Sequence, residues 1–212
     1  MTGVEELSIS KYNHAENIWE RAGMSSVSEF PREYFGMDSY CDEFLVEVDQ
    51  ILYYVAADLD EGRALVRMRK YNRHTDQWQK CTQLQSNGGG KLGPVLSCGP
   101  TIYFIMNLAM HCYDPSQDRW CKRTPPMVIP EVCTAVAMER EIICTNFDLN
   151  HTMVYDTEKD HWQKLQGLPN PGTLSISTVP CLFVMENQLH ILLETNDTVK
   201  QEQSLDYLVY VY

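Results

Sequence analysis

A tyrosine is followed seven residues later by a tryptophan four times: Tyr12 and Trp19, Tyr71 and Trp78, Tyr113 and Trp120, Tyr155 and Trp162. These are all four tryptophans of the chain, and the tyrosines stand 59, 42 and 42 residues apart. Self-similarity at a period of roughly 40 to 50 residues marks a propeller or a solenoid, whose units are too small to bury their own faces and cover one another instead.

Between markers the chain follows one grammar. In the unit ending at Trp162, Val132 to Met138 is a β-prone apolar run, Glu139-Arg140 a polar turn, and Glu141 to Thr145 a second apolar run. Alternating runs around a two-residue turn read as a hairpin. A polar stretch, Asn146 to His151, leads to a third strand ending at Tyr155, and a turn over Asp156 to Asp160 leads to a fourth strand at His161 to Leu165. The same reading gives units over 41–83, 92–124 and 132–166, the closing strands of a unit over 1–23, and a unit over 176–212 without a fourth strand. The expected fold is all-β, an incomplete propeller of four-stranded antiparallel sheets, with strands for about four blades and a cut at both ends. Large aromatics on the third and fourth strands would fill the space between sheets. Asn13, Asn72, Asp114 and Asp156 follow the tyrosines, where a short polar side chain can bond the backbone two residues on and open the turn.

A hydrophobic content of 44% over 212 residues is that of a globular chain. No run approaches 18 apolar residues, and Met1 to Ser10 has neither a basic start nor an apolar core, so neither a membrane span nor a secretory leader is expected. Cys41, Cys81, Cys98, Cys112, Cys121, Cys133, Cys144 and Cys181 form no CxxC pair, and several sit in expected strands. They read as unbridged thiols in a reducing compartment, which places the chain in the cytoplasm or nucleus. Two sequons, at Asn150 and Asn196, are then read as unused. The net charge of −12 repels phosphate backbones and anionic membranes, so nucleic acid and membrane are not expected partners.

Tyr113-Asp-Pro-Ser-Gln-Asp-Arg-Trp120, with Tyr155-Asp-Thr-Glu-Lys-Asp-His-Trp162 and Tyr71-Asn-Arg-His-Thr-Asp-Gln-Trp78, resembles the kelch repeat. In that repeat the third strand ends in a tyrosine-aspartate-proline turn ahead of a tryptophan. The copies span almost the whole chain, and WD40 repeats fit worse because no tryptophan here is followed by aspartate. One departure is consistent: where kelch units carry two glycines at the end of the second strand, this chain has Ala56-Ala57, Met106-Asn107, Thr145-Asn146 and Glu194-Thr195. The resemblance is therefore to a divergent member, and the chain is similar to the kelch portion of BTB-kelch adaptors.

That resemblance implies a protein-interaction module that recruits substrates to a cullin-based ubiquitin ligase, the cullin being held by a BTB domain outside these residues. A cytoskeletal or scaffold kelch protein is the alternative, and a propeller enzyme such as a copper radical oxidase a more distant one. The residues themselves offer no catalytic constellation and imply no cofactor. Asn87-Gly-Gly-Gly-Lys91 lacks both the first glycine and the hydroxyl residue of a phosphate loop. The six histidines show no paired metal spacing, and His14, His74 and His161 fall at the repeated turns, where exposure is expected. Partner contacts are expected from loops, because strands supply a rigid scaffold and loops vary upon it. Between second and third strands the candidates are Asp58, Asp60, Asn107, Asn146, Asp148, His151 and Asn196. Between fourth strands and the next unit they are Arg32, Asn87, Lys91, Glu131 and Asn170. With few basic residues in these loops, a basic or polar peptide is the expected ligand class.

Overall fold

The structure is a computed structural model, and it describes residues 9–22, 41–60, 63–87, 92–106, 109–126, 132–165, 175–176, 178–197 and 202–210. All regular structure among them is β, in nineteen strands. The chain divides into two compact units, 1–89 and 90–212.

The first unit contains an antiparallel pair, β1 (Ile9–Asn13) with β2 (Ile18–Ala22), and a larger sheet. That sheet runs β3 (Cys41–Val48), β4 (Ile51–Asp60), β5 (Arg63–Asn72) and β6 (Gln77–Lys80), with β7 (Leu84–Asn87) also pairing with β5. The fourth strand expected over Trp78 to Gln83 is thus two short strands along one partner, β6 against the end of β5 and β7 against its start. Cys81 between them still gives its N–H to the Met68 carbonyl at 3.0 Å, so the edge of β5 stays paired across the break. Asp49 and Gln50 both take positive φ, 49° and 63°, as a type I′ hairpin turn requires.

The second unit repeats the sheet three times. Strands β8 (Leu92–Cys98), β9 (Thr101–Met106), β10 (Ala109–Asp114) and β11 (Arg119–Arg123) pair in sequence order. So do β12 (Thr134–Met138), β13 (Glu141–Thr145), β14 (Thr152–Asp156) and β15 (His161–Lys164). In the third sheet β18 (Gln188–Asp197) carries β19 (Glu202–Tyr210) on one side, and both β16 (Ser175–Ile176) and β17 (Cys181–Met185) on the other. The first strands β8, β12 and β17 lie beside one another, which is how blades of a propeller meet.

Burial on both faces explains the apolar runs. On β13, Ile142 and Cys144 point back into a cluster with Tyr103, Ile105 and Met110 of the preceding sheet. The intervening Ile143 points forward into a cluster with Leu182, Leu189 and Ile191 of the following one. Strict alternation on a pleated strand sends neighbours to opposite faces, so a strand between two sheets must be apolar throughout. Each such side chain, sealed from water, contributes about 1.5–3 kcal/mol. Sheet approach is close enough to require glycine at one point. A Cβ on Gly93 would sit 3.0 Å from the Ile105 carbonyl oxygen and 3.1 Å from that of Val132, both immobile backbone atoms.

Several candidate loop residues lie on strands instead. Asp58 and Asp60 belong to β4, in register with Leu65 and Arg63, so the expected loop is a longer hairpin. Ala56-Ala57, standing where paired glycines were the reference, sit fully buried mid-strand opposite Arg67 and Val66. Without glycine the second strand has no reason to bend there and pairs onward. Asn196 belongs to β18, opposite Ser175 and Gln203, and Asn87 is the last residue of β7. Arg32, Lys91, Asn107, Glu131 and Asn170 lie outside the described residues.

Candidate functional site

The aromatic markers build the scaffold of the site. Each tyrosine pairs in register with its tryptophan across the third and fourth strands, and the rings meet at centroid distances of 5.2, 5.2, 5.2 and 4.9 Å in chain order. The turn between them is closed twice. Asn13, Asn72, Asp114 and Asp156 each accept two backbone N–H bonds, from the residues two and three further on. At the far side the tyrosine hydroxyl donates to Asn17, Asp76, Asp118 or Asp160, five residues after it in every copy. These four acceptors all take positive φ, between 50° and 57°. Asn and Asp are the side-chain-bearing residues that tolerate this conformation best. The repeating unit is therefore Tyr-[Asn/Asp]-x3-[Asn/Asp]-x-Trp, and its second polar position is one that the sequence reading missed.

The cassette also fastens one sheet to the next. Thr124, just past the end of β11, gives its N–H to Asp160 at 2.9 Å, and its carbonyl accepts from Trp162 Nε1 at 2.8 Å. One residue of backbone is thus held at both polar groups by the turn of the following sheet. Burial pushes the Asp160 carboxyl up, but hydrogen bonds from Tyr155 and Thr124, with the Arg123 charge, hold it below the ordinary carboxylate value. Tyr155 moves the other way, raised by burial and by that same bond to Asp160.

On this scaffold, the loop from Asn146 to His151 joins β13 to β14 and contains Asn146, Asp148 and His151 of the expected contact residues. Asn146 ties its two ends: its N–H donates to the His151 carbonyl at 3.3 Å, and its side-chain oxygen accepts from the His151 N–H at 3.0 Å. The Asn146 amide donates to Asn150 Oδ1 at 2.7 Å, and His151 Nδ1 meets that same oxygen at 2.6 Å. Beneath the loop, the Thr145 and Thr152 hydroxyls pair at 2.8 Å, both buried. Leu149 anchors it: only 2% exposed, it joins the apolar cluster of Leu182, Leu189 and Ile191. It does so at φ 58°, the one apolar side chain at positive φ among the described residues. A bulky residue in that region costs about 1–3 kcal/mol and persists only where its surroundings over-determine it. What the anchored loop presents to solvent is Phe147, Asp148 and Asn150. Asn146, Asp148 and His151 lie in a loop between the second and third strands, where the sequence reading placed them, and the exposed Phe147 and anchoring Leu149 were not among its candidates; an apolar pair inside a polar stretch was the available signal.

The remaining chemistry-bearing groups are separate. Among the described residues, no three His, Cys, Asp or Glu side chains are grouped to hold a metal ion. His14, His74 and His161 are exposed at the turns. His111 is buried on β10 with Nε2 unbonded, and burial first, then the Lys122 charge, lowers its pKa. No described helix is long and apolar enough to cross a membrane. The cysteines depart from expectation at one place. Cys81, Cys98, Cys133, Cys144 and Cys181 are unbridged, but Cys112 and Cys121 form a disulfide. The register sets them opposite one another on β10 and β11 with Cα atoms 5.3 Å apart, inside the range a disulfide spans. Spacing alone hid this, because nine residues of separation become a direct pair only once the Tyr–Trp hairpin forms.

No family model matches the chain. Among curated proteins it is similar to Kelch-like protein 35 of Mus musculus, 22% identical over 126 residues. The matched stretch covers 56% of this chain and 22% of that protein, so the chain spans well under half of its relative's length. This weak similarity and the succession of four-stranded antiparallel sheets together fit a kelch-like propeller.

Proposed function

We propose that the chain is a kelch-type protein-interaction module and that the loop from Asn146 to His151 is a principal contact. The observation that carries this is the loop's construction: a strained, buried Leu149 and tied ends fix an exposed apolar residue beside an exposed acid. A preformed knob of this kind loses little conformational freedom on binding. Its chemistry suits a partner with an apolar pocket flanked by a basic group, and the net charge of −12 favours the same sign of partner. The similarity to Kelch-like protein 35 supports the interaction class.

The finer reading is that the module selects substrates for a cullin-based ubiquitin ligase, in the cytoplasm, through a longer protein that also carries a BTB domain. Its support is the Tyr-x6-Trp cassette and the family resemblance it carries, and a scaffold role uses the same surface. The test compares proteins retained by the full-length protein with those retained by its Phe147→Ala/Asp148→Lys variant. The proposal expects a defined set, lost in the variant and kept by a Lys80→Ala control. Identical sets would refute the loop's role. Absence of a cullin from the full-length complex, with the loop-dependent set intact, would refute the ligase role alone.

A further inference from the structure

We infer that the Cys112–Cys121 disulfide is a redox-modifiable staple that sets how firmly β11, and with it the connection to the next sheet, is held. Three observations carry the inference. First, the bond is surplus to the hairpin. The same register position holds Lys11 and Glu20, Lys70 and Gln79, or Val154 and Gln163 in the other three cassettes, and each keeps its Tyr–Trp contact and both turn bonds. Second, the bond is accessible from one end only. Cys121 is exposed, whereas Cys112 is 1% exposed within the apolar cluster between two sheets. Third, β11 leads three residues beyond Cys121 to Thr124, the residue that Asp160 and Trp162 hold.

The chemistry is a two-electron exchange with a dithiol. One thiolate of the reductant attacks Cys121 Sγ at the exposed end, forming a mixed disulfide and releasing Cys112 as a thiolate, which takes up a proton. The reductant's second thiol then attacks the mixed disulfide, leaves as its own cyclic disulfide, and frees Cys121 as a thiol. The core accommodates the product, since a buried thiol behaves as a small apolar side chain and Cys98 and Cys144 already lie in the same cluster as thiols. Burial raises the pKa of both, so they stay protonated and do not compete as nucleophiles.

The test uses the full chain purified without reductant. Free thiols are blocked with N-ethylmaleimide in denaturant so that the buried ones react too, the remaining bonds are reduced, and newly freed thiols are labelled with iodoacetamide. The second label is expected on the Cys112 and Cys121 peptides and not on those of Cys98 or Cys144. Dithiothreitol added to the folded protein is expected to open the pair with circular dichroism unchanged, and to speed amide exchange at Lys122 and Thr124 several-fold while β15 is unaffected. A Cys112→Val/Cys121→Gln variant copies the Val154–Gln163 pair and is expected to fold with fast β11 exchange that ignores dithiothreitol. The inference is overturned if both cysteines take the first label, if the bond opens only on denaturation, or if its reduction leaves β11 exchange unchanged. Failure of that variant to fold also overturns it, because the bond would then be a requirement of the fold.

Discussion

Asp160 ties two sheets together through one carboxylate. It closes its own turn at positive φ, accepts the Tyr155 hydroxyl, and accepts the Thr124 N–H from the sheet before it. Replacing it with alanine leaves two donors without partners, and Asp160→Ala is expected to cost roughly 1–3 kcal/mol in urea unfolding. Trp162→Phe, which removes the indole N–H together with part of the ring that packs on Tyr155, should cost at least about 1 kcal/mol. Acid should find the same residue. The folded pKa values of Asp160, Asp114 and Asp156 are all lowered: Asp160 by its hydrogen bonds in spite of burial, Asp114 first by the Ser116 hydroxyl, Asp156 first by Lys159. A carboxylate lowered on folding adds stability that is complete above its unfolded pKa and lost as pH falls through the folded one. Stability should therefore decline as pH drops through and below the ordinary carboxylate range, and Asp160→Asn should flatten that decline. An unchanged slope in the variant would remove Asp160 from the account. Of all this, the sequence carried the Tyr–Trp register and the turn-opening Asn or Asp, because both are local. The bond to Thr124, 36 residues away, was not legible, since it exists only when two sheets pack.

At the scale of the element, strand order was legible and strand ends were not. Turns such as Glu139-Arg140 and Glu186-Asn187 break apolar runs sharply, and they fall where polar pairs predict. By contrast β4 runs through Ala56-Ala57 to Asp60, because hairpin pairing continues past the buried segment and composition gives no stop signal. The β13–β14 loop was found by its polarity, while its anchor was missed because Leu149 looks like an interruption of a polar stretch until the next sheet covers it. Leu149→Ala is expected to cost about 2–5 kcal/mol, the range for a buried leucine truncated to alanine. It should also weaken partner binding although the contacting side chains remain, since Phe147 and Asp148 would lose their fixed presentation. Stability loss with partner affinity intact would show that the loop does not need its anchor.

At the scale of the whole molecule, the repeat explains why the β12–β15 sheet, lying between two others, is apolar on both faces. Sheets that cannot stand alone cover their neighbours, and variation is left to the loops. Binding through an acidic surface should weaken as ionic strength rises, and affinity independent of salt between about 50 and 500 mM would contradict a charge-led partner. The central claim is that the β12–β15 sheet is fastened to the β8–β11 sheet before it by the tyrosine–aspartate–tryptophan turn. The measurement that meets it most directly is amide hydrogen exchange at Thr124 in the full chain, oxidised and at neutral pH. Thr124 is exposed and lies beyond the last residue of β11, so a plain loop would leave its amide exchanging as fast as that of the solvent-facing Asp148. The account predicts protection at Thr124 comparable to the β14 strand in the wild type, and its loss in Asp160→Ala. Fast exchange at Thr124 in the unaltered protein would contradict it.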